Sequence, residues 1–138
     1  MELIQVDDAG LLFISPAITD WRIVDRHRVD TVIDLDGALD DGVPTAPNHL
    51  LYVYFPIRDE ELPNLAKLHA VAALGARLVR ERHCVLSHCG LGFNRSALLA
   101  GLILNQLGMS GQQALERLRE RRPGALFNDR FASYLQSL

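Results

Sequence analysis

Residues 88–96 read His-Cys-Gly-Leu-Gly-Phe-Asn-Arg-Ser, which sets the thiol of Cys89 six positions ahead of the guanidinium of Arg95 around a loop containing Gly90 and Gly92. The apolar run VLSH leads into this loop and SALLAGLILNQL leads out of it. The chemistry such a loop suits is that of a phosphate ester. Successive backbone N–H groups turned inward make a nest for an anion, and the N-terminus of the following helix adds partial positive charge. Arg95 can hold two phosphoryl oxygens bidentately while the Cys89 sulfur faces phosphorus from the closed side, so that attack is in line. A free thiol with a pKa of about 8.5 is mostly protonated at neutral pH; nest amides, a helix N-terminus and a guanidinium all favour its thiolate.

With His88 before the pair, Gly90 and Gly92 inside it and Ser96 after it, the segment resembles the signature of the cysteine-based protein tyrosine phosphatase superfamily, and the short chain is closest in kind to the dual-specificity branch. The resemblance implies a metal-independent phosphatase without cofactors that acts on phosphorylated proteins or peptides. In it Cys89 is the nucleophile, and residues 90–95 (Gly90, Leu91, Gly92, Phe93, Asn94, Arg95) bind the phosphate. The Ser96 hydroxyl eases departure of the thiolate, and His88 orients the loop. The leaving oxygen needs a proton from a carboxylic acid on the far side from sulfur. Asp59, in YFPIRDEELP, stands 89 − 59 = 30 residues ahead of the cysteine and is the expected acid, with Glu60 and Glu61 as rivals. RERRPGALFNDRF is similar to the family segment that packs near the loop, which makes Arg122 a supporting residue. Leu91 and Asn94 stand where dual-specificity enzymes usually carry smaller residues, and Phe93-Asn94-Arg95 is similar to RNA 5′-triphosphatases of the superfamily. The loop has none of the lysines of its phosphoinositide phosphatases. A module that binds phosphorylated partners without turnover is a further alternative.

Other chemistries fit the same residues less well. A dinucleotide fingerprint needs Gly where Arg95 stands, and a triphosphate-binding loop needs a Gly-Lys-Ser/Thr ending. His83, Cys84, His88 and Cys89 are four zinc-competent residues within seven positions, but an extended chain sends His83 and Cys84 to opposite sheet faces. An extended run from Cys84 to Cys89 also holds their Cα atoms about 16 Å apart, too far for a disulfide. Cys84 is read as a core residue, with capture of an oxidised Cys89 as the sharper alternative.

The elements that must position this loop form an α/β pattern: a central, mostly parallel sheet flanked by helices. LLFISPAI is a first strand ending at Pro16, followed by a short helix from about Asp20 to His27 with Asp20 as N-cap. DTVIDLDG is a buried strand, in which Asp34 ends the strand and Asp36 opens a turn, neither with assigned chemistry. The segment from Asp36 to Asn48 is a loop, and its acidic stretch from Asp36 to Asp41 hints at basic substrates. LYVYFPI is the next strand, residues 63–82 a crossover helix, and HCVLSH the central strand whose carboxyl end carries the loop, where open α/β sheets hold ligands. Helices over about 96–107, 110–121 and 129–137 complete a single domain spanning residues 1–138, and Arg117, Arg119, Arg121 and Arg122 read as a solvated basic face at a helix C-terminus.

The chain has 138 residues, of which 49% are apolar, with a formal charge of −3. One core fits that size. The negative charge gives no general attraction to nucleic acid or anionic membrane, so anion recognition must be local. An acidic N-terminus and no apolar run near the ~20 residues of a membrane span point to a soluble, cytosolic protein.

Overall fold

The computed structural model describes residues 1–138. Its sheet contains β1 (Ile4–Gln5), β2 (Leu12–Ser15), β3 (Thr31–Asp34), β4 (Leu51–Tyr54) and β5 (Val85–His88) in the spatial order β1-β2-β5-β3-β4. All neighbouring strands are parallel except β1 and β2. The expected α/β class, with a mostly parallel sheet between helices, is the observed one.

Alternation within each strand decides which layer it feeds. Leu12, Ile14, Ile33 and Val85 enter a core of 27 buried residues, whereas Phe13, Val32 and Leu86 enter one of 7 on the other face. The larger core is closed by α2 (Leu65–Arg80), α3 (Arg95–Gln106), α4 (Gly111–Arg121) and α5 (Asp129–Gln136); the smaller holds Val24 of α1 (Trp21–Arg26). Each fully buried Leu or Ile stabilises this arrangement by about 1.5–3 kcal/mol relative to exposure. In α2, Leu68, Ala72, Gly75, Ala76 and Val79 make the inward stripe, and a Cβ at Gly75 would lie 2.6 Å from Ile103 Cδ1, so α2 and α3 pack closely there.

Helix boundaries follow their caps. Asp20 accepts from Arg22 N–H, and Ser110 forms a reciprocal capping box with Gln113. α2 starts two residues later than Pro63 because Asn64 accepts from Lys67 N–H as its N-cap. The strand LYVYFPI stops as a ladder at Tyr54 because Pro56 has no N–H, although Phe55 and Ile57 still donate to Asp34 O and Leu35 O. β1 was not anticipated: two half-buried residues carry no period-two signal.

The register brings the strand ends together. Ser15 and Asp34 both pair with His88, and Asp34 also pairs with Tyr54, so all four parallel strands finish on one row. The segments that follow, beginning at Pro16, Leu35, Phe55 and Cys89, therefore emerge side by side. No helix is long and apolar enough to cross a membrane.

Candidate active site

The loop leaving β5 is built from unspent backbone donors. The amides of Gly90, Leu91, Phe93, Asn94 and Arg95 donate to nothing else in the chain, while Gly92 N–H lies 3.3 Å from Cys89 Sγ. Cys89 is 2% exposed, with its sulfur 3.4 Å from Ser96 Oγ. The loop is pinned from outside by Ala17 N–H to Gly90 O at 3.2 Å and Cys89 N–H to Ser15 O at 3.4 Å. Gly92 has φ +76, and a Cβ there would sit 2.8 Å from Pro16 N and 2.9 Å from Ser15 C. Both the left-handed backbone and the contact with β2's end exclude a side chain. Gly92→Ala is expected to cost about 2 kcal/mol or more and to lower Tm by about 7 °C or more; a thermal melt equal to the parent's would contradict that.

Arg95, first residue of α3, directs its guanidinium back over the loop. Nη1 donates to Asp36 Oδ1 and to Ile57 O, both at 3.4 Å, and Nη2 lies 3.3 Å from where a Gly90 Cβ would be. Nε is buried and donates to nothing. One corner of the fork is thus held, and the Nε/Nη2 edge remains for an oxyanion.

Across the cleft, Asp59 belongs to the segment after β4. Its Oδ2 accepts from Asn94 Nδ2 at 3.3 Å, its Oδ1 is buried without a partner, and its carbonyl accepts from Asn128 Nδ2 at 2.9 Å. Glu60 and Glu61 are exposed, and Glu61 faces Arg58 at 4.0 Å. Of the three acids, Asp59 is the one joined to the phosphate loop.

No family model matches the sequence. Against curated proteins, the chain is 31% identical over 135 residues to mouse protein tyrosine phosphatase type IVA 2, covering 98% of this chain and 69% of the relative. The chain belongs to the cysteine-based protein tyrosine phosphatase superfamily. Human DUSP28 superposes with a TM-score of 0.80 at 25% identity over 98% of this chain and 90% of that one. The Yvh1 phosphatase domain from Chaetomium thermophilum shares the fold, with a TM-score of 0.76 at 24% identity over 99% and 94%. The dual-specificity-like resemblance of the motif therefore extends to the fold.

Beneath the loop of this phosphatase lies a buried polar network that composition did not reveal. His88 Nε2 is 2.7 Å from Asp40 Oδ2 and 3.6 Å from Asp34 Oδ1, and its Nδ1 has no partner. Asp34, fully buried, accepts from Asp36 N–H at 2.9 Å through Oδ1 and from the Tyr52 hydroxyl through Oδ2; Tyr52 Oη in turn accepts from Asp40 N–H at 2.9 Å. Burial raises the pKa of Asp40, with His88 pulling the other way and Asp34 adding to the rise. Burial and the Asp34 hydrogen bond both raise that of Tyr52. Such a network is rigid while satisfied and costly when broken.

The acids after β3 do more than their local sequence signals. Asp34 does end β3 and Asp36 does open the bend after it, but both also carry site contacts that the sequence did not assign: Asp34 anchors the network and Asp36 holds the Arg95 fork. Of the acidic segment Asp36 to Asp41, Asp40 is spent on His88 and Asp36 is paired with Arg95, while Asp41 stays exposed.

The zinc-competent residues disperse as alternation predicts: His83 Nδ1 meets Asp30 at 2.8 Å, His88 meets Asp40, and Cys89 meets Ser96. Cys84 lies in the smaller core, Cys89 in the larger one on the opposite face. Burial, with Asp30 and Asp7 nearby, pushes the Cys84 thiol up to about 12. A thiol so held is a poor nucleophile, in keeping with a core residue.

Arg119 and Arg121 of the basic run are exposed, as a solvated face would have it, whereas Arg122 turns toward the loop. Arg122 Nη2 donates to Leu91 O at 3.3 Å and its Cζ lies 4.0 Å over the Phe93 ring. Arg119 donates to Ala125 O and Leu126 O at 3.2 and 3.0 Å, and Arg117 and Arg121 face Asp8 at 3.3 and 3.7 Å.

Proposed function

We propose that residues 1–138 act as one catalytic domain that hydrolyses phosphate monoesters on proteins or peptides, phosphotyrosine and also phosphoserine and phosphothreonine, through a cysteinyl-phosphate intermediate. The observation that supports this reading is the grouping of three features: the Cys89 sulfur on the floor of a loop with five uncommitted amides, the open edge of Arg95, and Asp59, which lines the same pocket as Arg95 and is hydrogen-bonded to the loop through Asn94. In the first step the Cys89 thiolate attacks phosphorus, an S–P bond forms, the ester P–O bond breaks, and Asp59 gives its proton to the leaving oxygen. In the second, water attacks phosphorus while Asp59 takes its proton; the S–P bond breaks, inorganic phosphate leaves, and Ser96 donates a hydrogen bond to the departing thiolate. No metal enters either step. The partners this implies are a phosphorylated protein or peptide and an oxyanion, in the cytoplasm, without nucleic acid or membrane.

The test is turnover of p-nitrophenyl phosphate in EDTA, with vanadate as inhibitor. Metal-free turnover blocked by vanadate is expected; activity only with added metal ion would reject the mechanism. Asp59→Asn is expected to slow phenyl phosphate by about 100-fold and p-nitrophenyl phosphate far less, because a good leaving group needs little protonation. Equal slowing would pass the acid's role to Glu60 or Glu61. A panel of phosphotyrosyl, phosphoseryl and phosphothreonyl peptides beside triphosphorylated RNA ends then fixes the substrate class.

A further inference from the structure

Asn94 is the N-cap of α3, yet it does not cap. Asn at that position ordinarily accepts an N–H from the first turn. Here the side chain, in a residue 3% exposed, turns the other way: Nδ2 donates to Asp59 Oδ2 at 3.3 Å and Oδ1 accepts from Asn128 N–H at 3.0 Å. Asn128 completes the triangle, donating from Nδ2 to Asp59 O at 2.9 Å while its Oδ1 caps α5 through Arg130 N–H and Phe131 N–H.

The segment bearing Asp59 needs such an anchor. From Arg58 to Leu62 no backbone N–H is bonded to any group of the chain, and besides the asparagines only Leu62 packs against the core. The triangle also decides where the acid's proton resides. Asn94 N–H points at Oδ2, so a proton on that oxygen would face another hydrogen. Oδ1, buried and without a partner, is the oxygen that can carry it.

We propose that Asn94 and Asn128 are positioning residues that hold Asp59 closed over the phosphate loop in the absence of substrate and place its acidic proton on Oδ1. This rests on the reading of Asp59 as general acid. Because the capping bond of α3 is forgone, the helix N-terminus keeps its first amides for the oxyanion. One residue thereby serves the phosphate loop by what it leaves free and the acid by what it binds.

The experiment measures kcat/KM for Asn94→Ala, Asn128→Asp and Asp59→Asn across aryl phosphates from p-nitrophenyl to phenyl, alongside thermal melts. Asn128→Asp keeps an oxygen that caps α5 as well as Asn does but cannot donate to the Asp59 carbonyl. Both asparagine variants are expected to lose about 10-fold or more on phenyl phosphate and under ~3-fold on p-nitrophenyl phosphate, steepening the leaving-group dependence in the direction of Asp59→Asn. A uniform loss across leaving groups, or none, while Asp59→Asn remains leaving-group dependent, overturns the positioning assignment alone. Should Asp59→Asn show no such dependence, the acid assignment fails first and the positioning role with it. If Asn94→Ala does not fold, Asn128→Asp decides the matter with its cap intact.

Discussion

Cys89→Ser is expected to reduce turnover by about 10⁵-fold while leaving oxyanion binding within a few-fold of the parent. The reasoning separates the two roles of the loop. Binding comes from amides that have no other acceptor and from the open edge of Arg95, none of which the substitution touches. Chemistry comes from sulfur, and a serine hydroxyl with a far higher pKa has no adjacent base to ionise it: Ser96 Oγ at 3.4 Å is a hydrogen-bond partner rather than a proton acceptor. Serine is also smaller at the reacting atom, so the buried floor should accept it without strain. Turnover of an aryl phosphate and tungstate titration by calorimetry check the pair of outcomes. Retained activity would remove Cys89 as nucleophile, and joint loss of binding and activity would show that the substitution deforms the cradle.

The parts of this molecule legible in its sequence are those governed by local rules. Strand, loop and helix around residues 85–106 follow from a short apolar run, two glycines and an uninterrupted apolar helix, and each agrees with its neighbour. Caps of the Ser110 and Asp20 kind are likewise local, so the helix starts came out within two residues. Asp59 was reachable because its place after the strand LYVYFPI resembles the general-acid loop of dual-specificity phosphatases; the register ends β4 on the same row as β5, with β3 between them.

What stayed hidden depends on who faces whom across loops. Asp34 and Asp36 look like turn formers, and only the shared row of strand ends shows that one lies under His88 and the other against Arg95. Asp40, in a loop rich in Gly and Pro, carries no signal at all for its contact with a histidine 48 positions away. Asn128 advertises an N-cap, which it is; its second bond, to the Asp59 carbonyl, is invisible without the fold. Leu126 adopts φ +57, a conformation its type disfavours, because Arg119 holds the carbonyls on both sides of its N–H while that N–H reaches Phe93 O at 2.8 Å. Strain of that sort is imposed by tertiary contacts and leaves no trace in composition.

Arg95→Lys is expected to lower kcat/KM by about 10²–10³-fold and, unlike Cys89→Ser, to weaken oxyanion binding together with turnover. The guanidinium performs two tasks at once because its donors diverge. Nη1 is occupied by Asp36 and the Ile57 carbonyl, while Nε and Nη2 remain free along the edge above Gly90. A lysine ammonium is a single point on a flexible stem, so a bond to Asp36 turns it away from the phosphate and a bond to the phosphate abandons Asp36. The loss of a preorganised charge-assisted donor pair at a reacting oxyanion has the magnitude stated above. Stability should change by under ~1 kcal/mol, since Asp36 is about one-third exposed at the pair and a partly solvated ion pair contributes little. The measurement is therefore a comparison of three readouts on one protein: a melt near the parent's, tungstate affinity reduced, and kcat/KM reduced. Full oxyanion affinity in the lysine variant would mean that the amide cradle holds phosphate without the fork, and that Arg95 serves mainly to join the loop to Asp36 and Ile57.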